Sequence, residues 1–172
     1  MPILVCPLSR VAELVSSRQP GRVISLLDPG STFPDLGETY AGRHLRLTFH
    51  DVHVSAGRET APSRDDVVQL IEFLKRWDRR ESILIHCRAG ISRSTAAGFI
   101  AACLSQPHVP ELTLARTLRR VAPSARPNQA MIQWGDDVLG REGRMSRAIR
   151  ITSADLPWLT LDEGEPFELP TA

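Results

Sequence analysis

The stretch from Ser82 to Leu104 limits the fold of this chain more than any other. Ser82-Ile83-Leu84-Ile85 reads as a strand and leads straight into His86-Cys87. The run from Ser94 to Leu104 is small and apolar almost all round, so it reads as a helix buried on most sides. Between them lie only Arg88-Ala89-Gly90-Ile91-Ser92-Arg93. A strand that passes through so short a loop into a buried helix belongs in an α/β layer structure.

The rest of the chain agrees. Ile3 to Cys6 and Val23 to Leu27 read as apolar strands, the second closed by the turn formers Asp28, Pro29 and Gly30. Leu45 to Phe49 alternates with polar residues and reads as a strand. Ser9 is placed to cap a helix running to about Ser17. Ser63, with Asp66 three residues on, resembles a capping box. It opens a helix with Val67, Leu70, Ile71, Leu74 and Trp77 on one face. Pro110 suits the start of another helix, and Asn128 begins a last one carrying Met131, Ile132 and Leu139. We therefore expect an α/β domain over residues 1–140, with a central, mainly parallel sheet of about four to five strands flanked by helices. After Gly140 the pattern fades. Residues 141–172 are expected as a C-terminal extension, packed on the domain or partly mobile. Arg141, Arg144, Arg147 and Arg150 read there as a solvated basic face.

The position of the 87–93 loop has chemical consequences. The first amides of a helix have no internal partners, and the helix dipole turns its positive end toward the loop. A loop whose N–H groups turn inward is an anion nest, and a phosphate or sulfate ion is its natural guest. Arg88, Ala89, Gly90, Ile91, Ser92 and Arg93 would supply it, with Gly90 giving the backbone freedom for a tight curl. Cys87 at its base is expected to react as a thiolate. Arg93 can return over the loop and grip two phosphate oxygens. Ser94 can donate its hydroxyl to the sulfur, and His86 is expected to order the loop from behind.

The segment fits His-Cys-x5-Arg-Ser/Thr, and Cys87-Arg88-Ala89-Gly90-Ile91-Ser92-Arg93-Ser94 resembles the protein tyrosine phosphatases, most nearly their dual-specificity branch. The likeness is specific over residues 82–104, looser over 45–81 and 110–140, and absent after 140. It implies a two-step phosphomonoesterase that forms a phosphocysteine, acts on phosphorylated proteins or small phosphomonoesters, and needs neither metal nor cofactor. It also implies a general acid on a loop before the cysteine. Asp51 fits that role, 36 residues before Cys87 and just after a strand; Glu59, Asp65 and Asp28 stand in reserve. Relatives often carry the Pro-Asn of Pro127-Asn128 beside the site, where Asn128 also serves as a helix N-cap. The family offers precedents for a protective disulfide, here between Cys6 and Cys87; Cys103 reads as a core residue.

Bulk properties narrow the classes. The net charge of +1 gives no sign of nucleic-acid or membrane binding. No run approaches the roughly 18 apolar residues that span a bilayer, and the N-terminus lacks the pattern of a signal peptide, so the expected location is cytoplasmic. Three widely spaced cysteines form neither a disulfide framework nor a zinc pattern. Lys75 is the sole lysine beside many arginines, a bias that a GC-rich bacterial genome explains as well as function does. Three other readings stay open: an inositol-phosphate or phosphoinositide phosphatase, a rhodanese-like sulfurtransferase, and a phosphate-binding pseudophosphatase.

Overall fold

The computed structural model describes residues 1–154 and 161–171; residues 155–160 of the extension lie outside the described residues, as does residue 172. Five strands form one sheet: β1 (Ile3–Pro7), β2 (Arg22–Leu27), β3 (His44–Thr48), β4 (Ile83–Cys87) and β5 (Phe167–Leu169), in the order β3-β2-β4-β1-β5. The first four are parallel, and β5 joins β1 antiparallel at the edge. Among the described residues, six α-helices flank the sheet: α1 (Val11–Arg18), α2 (Arg64–Lys75), α3 (Arg93–Ser105), α4 (Glu111–Val121), α5 (Gln129–Val138) and α6 (Arg144–Ser153). None is long and apolar enough to cross a membrane.

The apolar run of β1 and that of residues 83–85 in β4 go with burial on both faces, the usual lot of inner parallel strands. One face, carrying Val5, Ile24, Leu26, Leu47 and Ile85, packs on the larger core with α2, α3, α4, α5 and α6. The other, carrying Leu4, Cys6, Val23 and Leu84, packs on a smaller cluster that includes Val11 of α1. Parallel strands deliver their C-terminal ends to one edge. Pro7, Asp28, Phe49 and Cys87 therefore arrive together there.

Local signals behave as the chemistry demands, with instructive exceptions. The Ser63 hydroxyl accepts from the Asp66 N–H, and the Asp66 carboxylate accepts from the Ser63 N–H, a complete capping box. Ser9 does not cap α1: a short 3-10 turn over Leu8–Arg10 precedes the helix, and the Ser9 hydroxyl donates to Glu163 instead. The arginines after Gly140 are not a purely solvated face. Arg141 and Arg144 both converge on Glu111, a nearly buried acid of α4, at 3.0 and 3.2 Å. They tie the start of α6 to α4, while Met145, Ala148 and Ile149 enter the core. The Asp136 carboxylate on α5 accepts from the Gly143 and Ser146 N–H groups, so α6 is capped by a residue outside it.

Candidate active site

The loop after β4 is built by fixing its carbonyls outward. The Arg88 carbonyl accepts from the Leu8 N–H at 3.1 Å, and the Ala89 carbonyl from the Gly164 N–H at 2.8 Å. The Ile91 carbonyl accepts from the Arg126 N–H at 2.8 Å, and the Ser92 carbonyl from the Asn128 and Ala96 N–H groups. The Thr95 hydroxyl adds bonds to both of the last two. In a planar trans peptide the C=O and the following N–H point in opposite directions. Each carbonyl drawn outward therefore turns the next N–H inward. One case is directly visible: the Gly90 N–H points at the Cys87 Sγ, 3.3 Å away. The nest is thus held by Leu8 just after β1, the 126–128 segment and the C-terminal strap around Gly164.

Gly90 is required there on two counts. Its φ of +71° lies in the left-handed region. A Cβ would also lie 2.7 Å from the Pro7 backbone nitrogen and 2.9 Å from the Cys6 carbonyl carbon.

Cys87 is buried at the floor, with its Sγ 3.1 Å from the Ser94 hydroxyl. Arg93 is only 3% exposed. Its Nη1 donates to the Phe49 carbonyl at 2.8 Å and to Asp28 Oδ1 at 3.1 Å, with Nη2 3.4 Å from Asp28 Oδ2. Asp28 therefore orients the guanidinium from behind, while Nε is a buried donor with no hydrogen-bond partner. Nε lies 3.8 Å from Asp51 Oδ2. Such a donor is what an anion in the nest would satisfy.

Asp51 is brought to the same place. Its Oδ1 accepts from the Ser92 hydroxyl at 2.6 Å and from Asn128 Nδ2 at 3.0 Å, and its side chain is 35% exposed. Asn128 is fully buried and has two jobs. Its Oδ1 accepts from the Met131 N–H to cap α5, and its Nδ2 holds both Asp51 and the Val52 carbonyl. His50 steadies the same loop, since its Nδ1 accepts from the Thr60 N–H.

Of the residues singled out in the sequence, Cys87, Ser94, Arg93, Ser92 and Asp51 are brought into one cluster. Asp28 joins it as the partner of Arg93. Asp65 sits in the first turn of α2 and Glu59 in an isolated bridge with Ala56, neither bonded to the loop. Arg88 is exposed at the rim, beside Leu8, Ser9, Asp162 and Glu163. Cys6 and Cys103 are buried thiols whose pKa values are pushed up to about 12, chiefly by burial. For Cys6 the neighbouring Cys87 pushes in the same direction, which disfavours its thiolate. Gly164, Ser25 and His44 carry no sequence signal that marks them, yet all three touch the loop or its support. His86 is fully buried, with Nε2 2.5 Å from the Ser25 hydroxyl. Beside the nest, Ser92 also borders a cleft of about 540 Å³ lined by His53, Pro127, Gln129, Ile132 and Arg150.

The family model described as Protein-tyrosine phosphatase matches residues 48–131, just under half of the chain. No curated protein matches. Among solved structures, the human tyrosine phosphatase-like serine/threonine/tyrosine-interacting protein superposes with a TM-score of 0.60 at 17% identity, over 80% of this chain and 91% of that one. DUSP15 gives 0.55 at 18% identity, over 89% and 91%. PTPMT1 in complex with PI(5)P gives 0.55 at 14% identity, over 80% and 91%. At these identities the likeness is one of fold; the matched 48–131 segment contains Asp51, Cys87, Arg93 and Asn128.

Proposed function

We propose that this chain is a cysteine-dependent phosphatase of the dual-specificity type, hydrolysing phosphate monoesters on proteins. The observation that carries this reading is the convergence of Cys87 Sγ, the inward Gly90 N–H, an Arg93 Nε without a hydrogen-bond partner and Asp51 on one spot. The amides and Arg93 stabilise charge on the three phosphoryl oxygens. Cys87 attacks as the thiolate: an S–P bond forms, the P–O bond to the leaving group breaks, and the Asp51 proton goes to the departing oxygen. In the second step a water oxygen attacks phosphorus and the S–P bond breaks. Asp51 takes a proton from that water, the departing sulfur receives the Ser94 hydroxyl hydrogen bond, and phosphate leaves.

The apolar floor of the adjoining cleft, formed by Pro127 and Ile132, gives room for the chain flanking a phosphoresidue. Beside Arg88 at the rim, Asp162 and Glu163 line the same surface pocket and would repel a second phosphate. That disposition favours a phosphoprotein over an inositol phosphate. The test is acid quenching during turnover of an aryl phosphate in chelator, followed by mass spectrometry. Phosphate trapped on the Cys87 peptide is the expected result. Turnover with no phosphorylated Cys87, or no turnover by folded, reduced protein, would overturn the reading.

Two substitutions probe the acid. Asp51→Asn is expected to lower kcat by about 10²- to 10³-fold, within the usual range for losing a general acid. Asn128→Ala is expected to cost about 1–2 kcal/mol of stability as a lost N-cap. It should also lower kcat about tenfold by freeing Asp51, measured by urea titration and steady-state kinetics on one preparation. A stability loss with unchanged kcat would confine Asn128 to capping.

A further inference from the structure

The two chemical steps make no use of Ser25, His44 or Arg46, yet these residues form a polar line through the smaller face of the sheet. Ser25 and His86 are register partners on β2 and β4, both fully buried. His44 and Arg46 stand on β3 opposite Val23 and Ser25. The Ser25 hydroxyl lies 2.7 Å from His44 Nε2 and 2.5 Å from His86 Nε2. Arg46 Nε donates to His44 Nδ1 at 3.3 Å, and Phe33 covers the outer end, edge-on to His44 and beneath the Arg46 guanidinium.

The direction of this line follows from what each group can donate. Burial brings both rings down to about 4, aided at His44 by Arg46 and at His86 by His44, so each is neutral near pH 7. A neutral imidazole has one donor nitrogen and one acceptor nitrogen. A guanidinium only donates, so His44 Nδ1 must accept and its proton must sit on Nε2. His44 Nε2–H then donates to Ser25. Ser25 has one hydrogen and gives it to His86 Nε2. The remaining His86 proton lies on Nδ1. That atom is buried with no hydrogen-bond partner. The reverse direction would set the Arg46 and His44 N–H groups against each other.

We propose that Arg46, His44 and Ser25 form a one-way hydrogen-bond chain that fixes the His86 tautomer and so steadies the end of β4 from which the anion loop springs. Ser25 and His44 are then positioning residues for the anion site, and the inference deepens the phosphatase reading on which it rests.

The first test needs no variant. Nitrogen-15 long-range NMR of the full chain at pH 7 should show His44 protonated on Nε2 and His86 on Nδ1. The opposite tautomer at either ring, or a charged ring, overturns the chain. The second test uses tungstate as a probe of the nest. Ser25→Ala and His44→Phe should weaken its affinity about threefold to tenfold, the scale of one disturbed hydrogen bond to an anion. In Ser25→Ala the His86 tautomer should become mixed. His44→Gln, which keeps an N–H near the place of Nε2, should bind as wild type. Unchanged tungstate affinity in both Ser25→Ala and His44→Phe, or a His44→Gln no better than His44→Phe, overturns the positioning role. Neither test needs turnover, so an inactive wild type would sink the phosphatase reading alone.

Discussion

Cys87→Ser is expected to lower hydrolysis of an aryl phosphate by more than about four orders of magnitude, the scale seen when a catalytic nucleophile is removed. Tungstate affinity should stay within about threefold. A serine hydroxyl is protonated near neutral pH, and the side chain bonded to Cys87 Sγ is Ser94, itself a hydroxyl and no base. Nothing would activate the replacement oxygen. The nest does not depend on sulfur: its carbonyls are held by Leu8, Gly164, Arg126 and Asn128. Arg93 is held by Asp28 and Phe49. Binding and turnover should therefore separate. Isothermal titration with tungstate beside steady-state kinetics reads both. Activity surviving in Cys87→Ser would place the nucleophile elsewhere. A wild type that binds tungstate tightly but turns nothing over would be a phosphate-binding module instead.

The strand–loop–helix unit was legible in the chain because its signals are local. The strand, the glycine and the apolar helix lie in one continuous run, and the capping box at Ser63 spans four residues. What was not legible depends on distant partners. Helix α6 has no local cap, because its first N–H groups are met by Asp136 on α5. Its stripe of Met145, Ala148 and Ile149 is interleaved with arginines that pair with Glu111 on α4. Strand β5 has three residues, too few to show a period. The same reason hid the relay behind the loop. Ser25 and His44 look like ordinary polar residues in strands, and only register places them in line with His86. For Asp28, the turn after β2 was legible, but its hold on Arg93 spans 65 positions and required the sheet.

Gly90→Ala is expected to be the most damaging single change in the scaffold of the site. It carries two penalties that other glycines of the chain allow to be measured apart. Gly30 has φ of +83° but nothing within 4 Å of where a Cβ would stand, so Gly30→Ala should cost about 1 kcal/mol from backbone conformation alone and leave activity intact. Gly164 has an ordinary φ, but a Cβ would lie 3.2 Å from the Gly90 carbonyl oxygen and from Ile91 Cγ1. Gly164→Ala should press on the strap and weaken tungstate binding a few-fold. Gly90→Ala meets both conditions at once, and its close neighbours at 2.7 and 2.9 Å are backbone atoms of β1 that cannot turn aside. The loop must therefore move away from Pro7, which breaks the Leu8-to-Arg88 bond and turns the Ala89 and Gly90 amides from their aim. The expected result is a loss of at least about 3 kcal/mol, as for overpacking joined to backbone strain, with tungstate affinity down more than about a hundredfold. Thermal melts and tungstate titrations on the three variants decide it. A Gly90→Ala no worse than Gly30→Ala would mean that the loop can shift without cost, and that its geometry is not set by β1.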